Sequence, residues 1–108
     1  MELTTITTEI HEAQKRLKEA GTKLFELARE KAETEREYRK ALAHAVLERE
    51  EEGRRATLIP DLARGDCADV KFERDLADAR YTAGREAVGA IETQISALQT
   101  ILRYHESI

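Results

Sequence analysis

The sequence has no tryptophan, a single proline, a single cysteine and five aromatic residues among its 108. One cysteine excludes an internal disulfide, and with it the stapled small domains typical of secretion. One proline leaves almost nothing to interrupt a helix. No apolar run approaches the roughly 20 residues that span a bilayer. The opening MELTTITTEI lacks both the basic start and the continuous apolar stretch of a signal peptide. Neither sign of charge dominates, since the net charge is −4 and the two signs are interleaved throughout. Without a basic face to displace counterions, direct nucleic-acid binding is not expected. The acidic excess is also too small for a DNA mimic. These absences describe a soluble cytoplasmic protein with no membrane contact, and the length allows one domain, residues 1–108.

What the chain does have is charge and heptads. Charged residues make up 37%, the balance of long exposed helices, whose surface is large for their core. Leu3, Ile6, Ile10, Ala13, Leu17, Ala20, Leu24 and Leu27 alternate at spacings of three and four, the seam of a coiled coil. The frame runs on through Lys31, Thr34, Tyr38, Ala41 and Ala45. A second run has Cys67, Val70, Arg74, Ala77, Tyr81, Gly84, Val88, Ile91, Ile95, Leu98, Leu102 and His105, with Arg74 badly placed. Between the runs lies TLIPDLARGD (Thr57 to Asp66). Gly53 suits the left-handed residue after a helix end. Pro60 suits a first helical turn, Gly65 its end, and Asp66 the cap of the second long helix, with Asp69 near its positive end. The spacing predicts helices over about 3–53 and 66–106, about 75 Å and 60 Å long at 1.5 Å per residue, joined by a tip at 54–65 with a short helical turn.

A short connector makes such helices antiparallel neighbours, so the expected fold is all-α, a long coiled-coil-like antiparallel hairpin. One register sets Leu24 against Ile91, Leu17 against Leu98, Tyr38 against Ala77, Ala41 against Arg74 and Lys31 against Gly84. A second, one heptad away, sets Glu48 against Arg74. In both, Leu3 and Ile6 overhang the hairpin. Two helices bury too little to stand easily alone. Self-association into a four-helix arrangement or higher oligomer follows, with Leu3, Ile6, Ile10, Phe25, Leu42, Val46, Phe72 and Leu76 as its expected interface.

Candidate chemistry is sparse. GREAVGA (Gly84 to Ala90) has neither the spacing nor the preceding strand of a phosphate-binding glycine motif. His11, His44 and His105 lack cysteine or carboxylate neighbours at ligand spacing, so no metal site is expected. Cys67 beside His44 is the shape of a nucleophile and base, but a seam position marks it as a small buried filler. The carboxylates of Glu33, Glu35, Glu37 and Glu48 to Glu52 read as a solvated face. Arg64-Gly65-Asp66 is a chance tripeptide. Neither catalysis nor a cofactor is expected. The tip carries more. Arg54, Arg55, Arg64 and Lys71 around a helix N-terminus form an anion site on paper, with Leu58, Asp61 and Asp66 alongside. Against this stands a plain structural role, in which Leu58, Ile59 and Leu62 close the hairpin end and the arginines pair with Glu50 to Glu52.

The stretch EREYRKALAHAVLEREEEGRRATLIPDLARGD (Glu35 to Asp66), followed by VKFERDLADARYTAGREAVGAIETQISALQT (Val70 to Thr100), resembles small helical accessory proteins from the early region of temperate bacteriophages and prophages of Gram-positive bacteria. The resemblance implies no catalytic residues. It implies a non-structural protein made in the cytoplasm of an infected or lysogenic host, binding and inhibiting a host protein, an anti-phage defence component first among them. A nucleotide ligand is the alternative, with the oligomer acting as a sponge for an immune signal. A bridging accessory of phage recombination or replication is the third reading.

Overall fold

The structure is a computed structural model that describes residues 2–107. Met1 and Ile108, the ends of the expected single domain, lie outside the described residues. Three helices, α1 (Leu3–Glu51), α2 (Ile59–Asp66) and α3 (Ala68–Glu106), make up the fold, with no strand among the described residues. The end of α1 is fixed by local hydrogen bonds. Gly53 has φ 74°, its N–H donates to the Glu50 carbonyl at 3.0 Å, and the Arg54 N–H donates to the Arg49 carbonyl at 3.2 Å. These two bonds are a Schellman ending, which needs the left-handed residue that glycine supplies without steric cost.

The tip is more helical than a turn. Pro60 stands in the first turn of α2, where its missing N–H would have had no partner. The structure then corrects the next two signals. Gly65 does not end this helix but lies inside it, and Asp66 does not cap α3 but is the last residue of α2. Only Cys67 separates the two helices. Its N–H donates to the carbonyls of Ala63 and Arg64 at 3.1 and 3.2 Å, while its carbonyl accepts from Lys71 at 2.9 Å. The chain therefore stays wound through the junction, and α3 does not begin with a fresh set of unpaired donors. Glycine in a helix costs about 1 kcal/mol relative to alanine, too little to force a break where tertiary contacts hold both sides.

Packing divides the chain into two units. In unit 1, which joins α1 as far as Glu26 to α3 from Thr82, the seam is aliphatic. Ile6, Ala13, Ile95 and Leu98 are buried, and Leu17, Leu24, Val88, Ile91 and Leu102 are half-buried. Ile6 has no exposure at all, so the expectation that it overhangs the hairpin end without a partner is corrected. The Arg16 guanidinium donates to Gln94 Oε1 at 2.9 Å. The expected register would set Arg16 opposite residue 99. A slide in that direction brings Ile6 level with the last turns of α3.

Unit 2, Leu27–Tyr81, has a different interior. Ala45, Ala63 and Cys67 form its centre, with Tyr38, Ala41, Leu42, Val46 and Val70 packed around them. Side chains this small let α2 lie close to α1, and close packing then depends on the fit rather than on bulk. Charges cross between the helices here. Lys31 reaches Asp78 at 3.1 Å, Arg80 reaches Glu30 at 3.9 Å, and Arg74 reaches Glu35 at 3.7 Å while pairing with Asp75 on its own helix at 2.9 Å. The Arg74 guanidinium also lies 4.3 Å from the Tyr38 ring centre, and the Lys31 ammonium 4.8 Å from that of Tyr81. Residue numbers rise on α1 as they fall on α3, so the two helices of this unit are antiparallel. Tyr38 meets Arg74 rather than Ala77, nearly one turn from the expected pairing, and Glu48 is not the partner of Arg74. The apparent misfit at Arg74 resolves as a cation over an aromatic face with carboxylates at its edge.

Candidate functional site

A concave apolar surface lies where α1 ends and α2 begins. Leu42 and Val46 lie off the α1 seam, one turn apart, and half-buried. Across from them, Ile59 is buried and Pro60 is held at the start of α2. With Ala56 these residues line a groove of about 310 Å³, and Glu50 and Arg64 stand at its edges. Leu58, half-exposed, comes just before Ile59. It flanks α2 without capping it, since no side-chain hydrogen bond is made there. Leu42 and Val46 also form part of a second, more open apolar surface with Arg39, Ala43 and Leu47.

One ion pair ties the end of α1 to the end of α2. Arg49 Nε and Nη2 donate to the two oxygens of Asp66 at 2.9 and 2.7 Å, and Nη1 donates to Glu52 at 3.3 Å. This fork joins the last turn of α1 to the last residue of α2 with fixed geometry. Hydrogen bonding to Arg49 holds the Asp66 carboxyl below its usual range, while Asp66 and Glu52 raise Arg49 above its already high value. Because the folded value of Asp66 is depressed, its contribution to stability is present above the ordinary carboxylate range. It is lost as pH falls through the folded value.

The other tip cations have partners too. Arg54 donates to Glu52 at 3.1 Å, Arg64 to Asp61 at 2.9 Å, and Lys71 to Asp75 at 3.0 Å. The sequence sets Arg54, Arg55, Arg64 and Lys71 around a positive helix end, but three of these four carry a carboxylate, and helical winding passes from α2 into α3 through Cys67. Arg55 contributes its carbonyl, which accepts from Leu58 and Ile59. Asp75 is held low by the Lys71 and Arg74 hydrogen bonds, and Arg74 is raised mainly by Asp75.

Cys67 is buried in the unit 2 core, and burial, with Asp66 adding, pushes its thiol up. A thiol in that condition is a poor thiolate nucleophile. No group of three or more His, Cys, Asp or Glu side chains able to hold a metal ion occurs among the described residues. No helix there is long and apolar enough to cross a membrane.

No family model, curated protein or solved structure matches this chain. The site therefore rests on its own geometry. Of the tip residues singled out in the sequence, Arg64 stands at the groove and pairs with Asp61 on α2, Leu58 lies just before α2, and Asp66 is the Arg49 partner. Of the expected interface residues, Leu42 and Val46 are brought into one apolar surface. Phe25 and Phe72 are 74% and 63% exposed and Leu3 about half-exposed, whereas Ile10 and Leu76 are half-buried. Sequence reasoning missed Arg49, seventeen residues from its partner with no local signal. It also missed the groove-lining role of Ala56 and Pro60. The coincidence of off-seam Leu42 and Val46 with a proline-started helix was the available hint.

Proposed function

We propose that the chain is a non-enzymatic binding protein, a helical hairpin that holds another protein against the groove between α1 and α2. The observation that carries this reading is the groove itself, an apolar concavity set in a strongly charged surface, with the Arg64 at its edge already paired to Asp61. Binding residues favour short segments positioned by rigid elements, and an apolar groove beside a helix accepts the anchors of an amphipathic helix or loop. Joined to the likeness to early-region phage proteins, the reading makes the chain a stoichiometric cytoplasmic inhibitor of a host protein, an anti-phage defence component. Two such hairpins associate, each contributing two long helices to a four-helix arrangement. A nucleotide sponge has less support, because Arg54, Arg64 and Lys71 would each have to leave a carboxylate.

The test is co-purification from host lysate, read by mass spectrometry, with the wild-type chain against Ala56→Glu and Pro60→Glu. Both substitutions place charge on the α2 side of the groove at exposed positions. A host protein retained by the wild type and lost from both variants, at unchanged helicity, is the expected result. Retention of the same proteins by all three chains would remove the groove from the function.

A further inference from the structure

The self-association proposed above leaves open which surface meets which. On α1, residues 39, 42, 43, 46, 47 and 50 share one stripe. Its middle is an open apolar surface of about 570 Å³ lined by Leu42, Ala43, Val46 and Leu47, with Arg39 at one end and Glu50 one turn beyond Leu47 at the other. Leu47 is 57% exposed. The unit's own interior consists largely of alanines and one cysteine; Leu42 and Val46 rest partly on that interior, while Ala43 and Leu47 are exposed.

We infer that the occupant of this stripe is the same stripe of a second copy, packed antiparallel about a two-fold axis between Ala43 and Val46. The placement rests on self-complementarity. It sets Leu42 beside the second copy's Val46 and Ala43 beside its Leu47, large against small in each layer. Arg39 comes level with the second copy's Glu50. Farther out, Lys40 meets its Glu51. Each of these charged pairs is of opposite sign, and the symmetry forms each of them twice. A parallel pairing of the same stripe would instead set Arg39 against Arg39 and Glu50 against Glu50. Complementary charges at the borders of an apolar seam are what select orientation and partner in paired helices.

The inference depends on the self-association proposed above and is tested so that the two can fail separately. Sedimentation equilibrium of the full chain at micromolar concentration should give a dimer. Arg39→Glu and Glu50→Arg, taken singly, each create two like-charged contacts and should weaken the dimer at least about tenfold, or 1.4 kcal/mol. The double variant should regain wild-type affinity. An equimolar mixture of the two single variants should form a heterodimer, because both of its contacts are again of opposite sign. Circular dichroism checks that these exposed substitutions leave helicity intact. Lys40→Glu and Glu51→Lys, singly and together, repeat the test at the outer pair should either inner variant lose helicity. A wild-type dimer indifferent to all of these changes would overturn the assigned face while the association itself survived. A wild-type monomer of full helicity would overturn both, and would leave the stripe to a different protein.

Discussion

Unit 1 and unit 2 are built on the same helical repeat but hold together by different means. Unit 1 fills its seam with isoleucine and leucine, and the hydrogen bond from Arg16 to Gln94 crosses between its helices. Unit 2 fills its seam with alanine and cysteine, and surrounds it with cross-helix charges and two cations over tyrosine rings. Aliphatic bulk is tolerant of angle and register, because burial is non-directional. Small side chains and bidentate charges are not tolerant, since both demand one geometry. The difference shows that a heptad pattern alone does not say how firmly two helices are indexed. Where the seam is largest the indexing is weakest in kind, and where it is smallest the polar contacts set it.

The comparison can be broken most severely at Ile6. Ile6→Ala in a fully buried site should cost about 2–5 kcal/mol, read by chemical denaturation, with hydrogen exchange rising first in the amides of unit 1. A cost no greater than that of an exposed substitution would mean that bulk does not hold this unit. Next in size, Ala63→Leu should cost about 1–3 kcal/mol, because extra methylenes at the fully buried α1–α2 contact have no room. The same substitution at half-buried Ala20 in unit 1 should be milder, and equal effects would erase the contrast. Gly53→Ala should lower stability by about 1–2 kcal/mol, since φ 74° is strained for any other residue. That change acts on the α1 ending alone. Smallest, and confined to acid, is Asp66→Asn. The wild type should lose stability as pH falls below about 3.9, the ordinary aspartate value. The variant should show a shallower decline over that window in thermal melts. Parallel declines would mean that the Arg49 fork does not contribute.

Much of the fold can be read from residue spacing because helical seams are local periodic signals. Ala13, Ala45, Cys67, Ala77, Ile95 and Leu98 all fall on the expected frame and all are buried. Gly53 was equally readable, since few residues other than glycine take a left-handed backbone at low cost. The misreadings share one cause. Gly65 and Asp66 carry local stop and cap signals, yet tertiary contacts override them: Arg49 claims the Asp66 carboxylate from seventeen residues away, and Cys67 passes the winding on to α3. Ile6 was misplaced because hydrophobic spacing fixes the face a residue lies on but not how far one helix slides along another. Arg74 looked out of place because a seam pattern scores it as a charge, whereas its flat guanidinium packs on Tyr38. The candidate site was legible only in part. Leu42, Val46 and Arg64 stand out in the sequence, but their convergence needs the α1 ending, the α2 start and the Arg49 fork together.

The thiol at the α2–α3 junction makes the molecule its own clock. Cys67 is the single sulfhydryl of the chain and is sealed among Ala45 and Ala63, so a thiol-directed reagent can reach it only when unit 2 opens. With closing fast relative to modification, the labelling rate measures the opening equilibrium of that unit. With closing slow, it measures the opening rate itself. Unit 1 has no cysteine and cannot contribute to the signal. Each substitution made elsewhere in the chain can thus be scored for whether its effect stays where it was introduced or travels to the tip.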